Sequence, residues 1–195
     1  MRKSTNKLTK HELNFASSKE YPLTKHRIMK TMIFLFDELG QRLSDQFNNF
    51  DYLTGSDYKI TKGENYNFMP YVVLDFPKII GHKFPIVCRT IFWWGHYFTA
   101  NLIIDTELID ITIFYKNKST LKKTYVHIGE NLWDNNLQSE NYILINELSI
   151  ADLTILIENR NYLRLSHKIK LSQINDIETI APSIYNNWLN IINKK

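Results

Sequence analysis

Between Thr24 and Phe47 apolar residues recur at spacings of three and four: Ile28, Met32, Leu35, Leu39, Leu43 and Phe47. That period puts them on one stripe of a helix, with Thr24 as its N-cap. Phe34 and Phe36 widen the stripe enough to lie against a sheet. Gly40, in the middle, costs about 1 kcal/mol relative to Ala. Upstream, residues 1–22 read as a loosely ordered lead-in with a short helix over Lys10–Ala16, broken by Ser17, Ser18 and Pro22. Asn48-Asn49 and Thr54-Gly55-Ser56-Asp57 supply the stop and turn signals after the long helix.

From about Tyr58 the pattern turns to β. Phe68–Asp75 is β-branched and aromatic and is closed by Pro77. Pro70 cannot donate to a ladder, so this strand starts late or lies at an edge there. Lys78–Lys83, with Gly81, is a loop. Phe84–Asp105 is too long for one strand, because at about 3.3 Å per residue it would run roughly 70 Å. Gly95 is the only breaker in its interior, Pro85 standing at its start. A two-residue Gly95-His96 turn of type II′ pairs Trp94 with Tyr97, Trp93 with Phe98 and Phe92 with Thr99. The competing geometry is a bulge at Gly95. The hairpin register places Phe92, Trp94 and Tyr97 on one face, and Trp93 and Phe98 on the other. Both faces are then apolar near the turn. Helices are expected over one; loops or a partner cover the second, or it stands open to bind.

Further strands are expected at Leu108–Tyr115, Thr124–Ile128 and Tyr142–Ile145, and at Tyr162–Leu171 from the alternation of Leu163, Leu165, His167, Ile169 and Leu171. Asn131–Glu140 is a polar connector holding Trp133. Ser149 and Asp152 have capping-box spacing and open a helix carrying Ile150, Leu153 and Ile157. Ser172 caps another helix through Ile180, and Pro182 starts a last one with Ile184, Trp188 and Ile192. The sum is an α+β fold: one domain over residues 1–195, an antiparallel sheet of about five to six strands with N-terminal and C-terminal helices packed on it.

Composition narrows the chemistry. A chain of 195 residues that is 44% hydrophobic has apolar side chain enough for a sizeable core. The single cysteine, Cys88, excludes an intramolecular disulfide and a multi-cysteine metal site. The six histidines form no i, i+4 pair and no His-x-His, so no metal site is expected. Nucleophile-elbow, Walker and dinucleotide-binding motifs are missing, and no cofactor is expected. The basic start Met1–Lys7 leads into no apolar run, and no stretch approaches a membrane span, so a cytoplasmic protein with no membrane partner is expected. Net charge is +4, but its lysines are scattered, which points away from nucleic acid.

One polar constellation stands out. Thr61-Lys62-Gly63-Glu64-Asn65-Tyr66 precedes the strand bearing Tyr71 and Asp75, and Arg89 lies on the next. If those strands pair, Asp75 and Arg89 form a charge-assisted pair, either as a purely structural contact with a turn at Gly63 or as part of a pocket. In the pocket reading, Arg89 holds an anion while Trp93 and Tyr97 stack on a flat group.

Lys62-Gly63-Glu64-Asn65-Tyr66, Pro70-Tyr71-Val72-Val73-Leu74-Asp75-Phe76-Pro77 and Arg89-Thr90-Ile91-Phe92-Trp93-Trp94-Gly95 together resemble a family of small, uncharacterised bacterial proteins with no known activity. The likeness covers roughly the middle quarter of the chain. It implies a bacterial cytoplasmic protein and brings no catalytic residue. The leading expectation is a non-catalytic binding or interaction domain that engages a protein partner, a second copy or a small ligand through the aromatic hairpin. Its candidate residues are Glu64, Tyr71, Asp75, Arg89, Trp93, His96 and Tyr97. The alternatives are a small enzyme with a pocket between Glu64, Tyr71, Asp75, Arg89 and His96, and a nucleic-acid binder.

Overall fold

The computed structural model describes residues 7–81 and 84–192; residues 1–6 of the expected lead-in, His82 and Lys83 of the loop, and residues 193–195 at the C-terminal end lie outside the described residues. Helix α1 (Lys10–Ser17) opens on a capping box in which the Thr9 hydroxyl accepts from the Glu12 amide and the Glu12 carboxylate accepts from the Thr9 amide. Helix α2 (Glu20–Gln46) buries Met29, Met32, Phe36, Leu39, Gly40 and Leu43. It starts four residues before Thr24, which is therefore no cap. Pro22 sits in its first turn, where the missing N–H has no intrahelical partner to lose, so it does not break the helix.

Seven strands rather than five or six form one antiparallel sheet: β1 (Lys59–Tyr66), β2 (Met69–Phe76), β3 (Ile86–Trp93), β4 (Tyr97–Asp105), β5 (Thr124–His127), β6 (Tyr142–Leu144) and β7 (Tyr162–Ile169). Their order is β1-β2-β3-β4-β7-β5-β6. β1 is a polar edge strand that begins where the pattern turns to β, ahead of the expected Phe68–Asp75 strand. A two-residue turn at Asn67 and Phe68, both at positive φ, joins it to β2, so the reversal falls there and not at Gly63. Pro70 lies on the second strand of the sheet, not at an edge. The β1 register shifts between Gly63 and Tyr66, opposite Pro70, so no ladder bond requires the absent N–H.

The β3–β4 hairpin turns where expected but one residue out of register. Trp93 pairs with Tyr97, Phe92 with Phe98 and Ile91 with Thr99. Trp94-Gly95-His96 forms the loop, closed by the His96 amide donating to the Trp93 carbonyl at 3.1 Å. Gly95 takes φ 73° at the third position of that turn, the site where a type II turn demands a residue tolerant of positive φ. It is neither the first residue of a type II′ turn nor a bulge within one strand. The slip changes faces: Tyr97 now shares a side with Trp93, and Phe98 with Phe92.

Leu108–Tyr115 is not a strand. A short 3-10 turn (Thr106–Leu108) leads to helix α3 (Ile111–Asn117), and the Asp110 side chain caps it by accepting from the Thr112 and Ile113 amides. The Ser149–Asp152 capping box forms and opens α4 (Ile150–Glu158). Beyond β7, Lys170 rather than Ser172 flanks a 3-10 stretch over Leu171–Asp176. A single helix, α5 (Ile177–Ile192), follows with Pro182 inside it, one ladder bond being forgone rather than a new helix begun.

One face of the sheet is apolar and lies under helices. Val72, Leu74 and Phe76, Cys88 and Phe92, Phe98, Ala100, Leu102 and Ile104, Leu163 and Leu165 pack there with Phe36 and Leu39 of α2 and Tyr185 and Trp188 of α5. Burial pushes the Cys88 thiol far up, so it is an inert core residue. The opposite face alternates apolar with polar residues, and the connector 128–141 runs across it.

Candidate functional site

The polar face is organised by two arginines. In β2 and β3, Asp75 and Arg89 stand directly opposite in register, and Arg89 donates from Nε and Nη2 to the two carboxylate oxygens at 2.6 and 2.9 Å. The plane of the same guanidinium lies against the connector, its Cζ 4.3 Å from the Trp133 ring centroid. Arg164, on β7, is 1% exposed and reaches up into the connector. Its Nη1 donates to the Leu132 and Asp134 carbonyls at 2.7 and 2.6 Å, and its Nη2 to the amide oxygens of Asn101 and Asn135 at 2.8 Å. The four bonds from its two terminal nitrogens, all to carbonyl or amide oxygens, tie the connector to β7 and β4, while its buried Nε has no partner among the described residues.

Asp134 anchors the connector from within. Its carboxylate accepts from the Tyr66 hydroxyl at 2.8 Å, the Asn136 amide at 3.0 Å, the Ser139 hydroxyl at 3.1 Å and the Asn141 side-chain amide at 2.9 Å. Burial acts to raise this carboxyl, but those hydrogen bonds outweigh it and hold it below the usual range. Tyr66 is pushed up to about 12, chiefly by burial. Its hydroxyl accepts from the Asn135 amide at 2.9 Å while donating to Asp134, so β1 is tied to the connector as well.

Between the connector and strands β1–β3 lies a cavity of about 420 Å³. Tyr66, Tyr71, Trp93 and Trp133 form apolar walls, and Asp75, Arg89, Asn131 and Asn135 supply polar edges. Its size and its mix of aromatic wall and few polar groups are those of a small-molecule pocket. Arg89 Nη1 carries no hydrogen bond to the described residues, which leaves donors for an occupant.

Four of the seven residues singled out in the sequence line this cleft: Tyr71, Asp75, Arg89 and Trp93. Glu64 does not; it sits on the exposed edge strand in an ion pair with Lys25 at 2.5 Å. His96 lies in the exposed hairpin loop, stacked on Trp93 with ring centroids 3.6 Å apart. Tyr97 shares the polar face but lies under the connector, its hydroxyl accepting from the Leu137 amide at 3.0 Å. Trp93 is only 3% exposed and donates its indole N–H to the Tyr66 carbonyl at 3.2 Å. The second aromatic face is therefore covered by the chain's own connector and is no open platform.

Sequence reasoning missed Tyr66, Asn131, Trp133 and Asn135 as site residues, and Arg164 and Asp134 as their support. A tryptophan inside an otherwise polar connector was the available signal. Among the described residues no group of three or more His, Cys, Asp or Glu is placed to hold a metal ion, and no helix is long and apolar enough to cross a membrane. No protein-family model matches the chain, and no curated protein matches it.

Proposed function

We propose that this chain is a non-catalytic binding domain whose ligand seat is the cleft between β1–β3 and the connector, and that the ligand is a small, flat, polar molecule. The observation that carries the reading is Arg89, braced by Asp75 on its edge and by Trp133 on its face, at the rim of an aromatic cavity of about 420 Å³. Asp75 offsets the charge of Arg89, so the cleft favours a ligand with hydrogen-bonding edges over one with a large net charge. Tyr71 and Trp133 supply ring surface for a flat group, and the Asn131 and Asn135 amides offer both donors and acceptors. Asp75 and Arg89 satisfy each other in the ground state, an arrangement suited to holding a ligand rather than to moving a proton.

A thermal-shift screen of planar heterocyclic compounds against the wild type and Trp133→Ala tests this. A compound at a hundredfold excess over its Kd stabilises the wild type by about 2.7 kcal/mol. The expected result is at least one such compound whose shift disappears in Trp133→Ala. Compounds that shift both proteins equally, or none that shifts the wild type, contradict the reading.

A further inference from the structure

The polar atoms around the aromatic cleft are unequally occupied. On the acceptor side, both carboxylate oxygens of Asp75 already take a bond from Arg89. The Asn131 side-chain oxygen accepts from the Trp133 backbone amide at 3.1 Å, and the Asn135 side-chain oxygen accepts from Arg164 Nη2 at 2.8 Å. Both partners are N–H donors, so each amide must present its oxygen to the frame and carry its nitrogen on the other arm of the plane. The Tyr66 hydroxyl on the wall is engaged twice, donating to Asp134 and accepting from the Asn135 backbone amide.

The donor side is open. Arg89 Nη1, Asn131 Nδ2, Asn135 Nδ2 and the Trp133 indole N–H have no hydrogen-bond partner among the described residues. They are also within reach. Asn131 and Trp133 are exposed, Trp133 at 40%. Arg89 and Asn135 are half-buried, but the buried side-chain atoms without a partner are the two His127 nitrogens and Arg164 Nε, so Arg89 Nη1 and Asn135 Nδ2 keep contact with solvent. The Thr61 and Tyr71 hydroxyls, which also line the cleft, turn either way.

A ligand seated against this wall gains by bringing acceptors. One that brings N–H groups instead leaves its own donors and those of the wall desolvated and unmatched. Charge filters further: Asp75 already balances Arg89, so a carboxylate entering the cleft would meet a second carboxylate, whereas a carbonyl oxygen would not. Resting on the reading of the cleft as a ligand seat, we propose that its ligand is a neutral flat ring of the oxo-heterocycle class. Its polar edge consists of carbonyl and ring acceptors, and the cleft discriminates against rings that bear amino groups.

The test titrates two neutral fused bicycles of closely matched size into the isotope-labelled full chain. Chromone carries acceptors only, and 1-aminonaphthalene carries an amino donor. NMR follows the side-chain N–H signals of Asn131, Asn135 and Trp133. Chromone is expected to move them saturably and to bind at least tenfold more tightly than the amine. Asn131→Asp and Asn135→Asp each keep the oxygen that the frame uses and replace the open nitrogen with a second oxygen. Each is expected to weaken chromone binding about tenfold and to shrink or reverse the preference. Should Asn135→Asp fail to fold, Asn131→Asp on the exposed residue decides alone. Equal or tighter binding of 1-aminonaphthalene, tighter binding of 1-naphthoate than of chromone, or a preference that Asn131→Asp leaves unchanged overturns the acceptor assignment and leaves the cleft standing as a seat. Binding of none of the three compounds at the cleft overturns both.

Discussion

The two faces of the sheet are held by different forces. Under α2 and α5 the contact is apolar area: Phe98 at 0% exposure, Phe92 beside it, and Phe36 against Phe98 with centroids 6.4 Å apart. Under the connector it is a set of directional bonds, Arg164 donating to the Leu132 carbonyl and Tyr66 and Tyr97 accepting from the Asn135 and Leu137 amides of a segment with no regular structure of its own. Area burial is tolerant of shape and gives a core. Directional bonding to carbonyls leaves gaps between the struts, and the aromatic cleft lies in one of those gaps.

Substitutions can break this contrast on either side. The largest effect is expected from Phe98→Ala, which removes a fully buried ring and costs about 3–5 kcal/mol, measured by urea unfolding. The Leu137 amide of the connector, bonded to Tyr97, is expected to stay protected from exchange until the whole molecule opens. Acidification comes next. Burial, with Arg164 and Arg160 nearby, holds His127 at about 4 in the folded chain against an ordinary 6.5, so the unfolded chain binds more protons between those values. Its contribution is fully present above pH 6.5 and is lost as the pH falls towards 4, amounting to about 3 kcal/mol. His167, also lowered by burial, adds in the same direction. A pH series of unfolding midpoints is expected to be flatter in His127→Phe than in the wild type over that window.

Arg164→Met leaves the Leu132 carbonyl and the Asn135 side-chain oxygen without their Arg164 donor, while the Asp134 carbonyl and Asn101 oxygen keep Tyr142 and Ser166, at a cost of about 1.5–3 kcal/mol. Hydrogen exchange of residues 132–137 is expected to quicken selectively while β3 and β4 hold. Should the helix-side amides accelerate equally, the two faces are not separable. Trp133→Ala is the mildest change, removing one cation–π contact at a half-exposed site for about 0.5–1 kcal/mol.

Much of the helix-side architecture was legible because area burial writes itself as periodicity: the α2 stripe, the strand alternation of β7 and the Ser149–Asp152 box all form. The Asp75–Arg89 pair was legible too, since opposite charges on adjacent strands suggest their own register. The hairpin register was not, because one glycine fits both a two-residue loop and the third position of a longer turn. Leu108–Tyr115 misled by its isoleucines; Asp110, a good N-cap, carried the contrary signal. The connector's role was hidden for a deeper reason. Arg164 binds the backbone of Leu132 and Asp134, and backbone carbonyls have no letter in the sequence.

The central claim is that the aromatic cleft, not the apolar face or the hairpin tip, is where this protein holds a ligand. Intermolecular NOEs from the best compound of the planar screen measure it most directly. The account predicts contacts to the ring protons of Tyr71, Trp93 and Trp133 and to the side chain of Arg89. Contacts that gather on α2, α5 or His96 instead would contradict it.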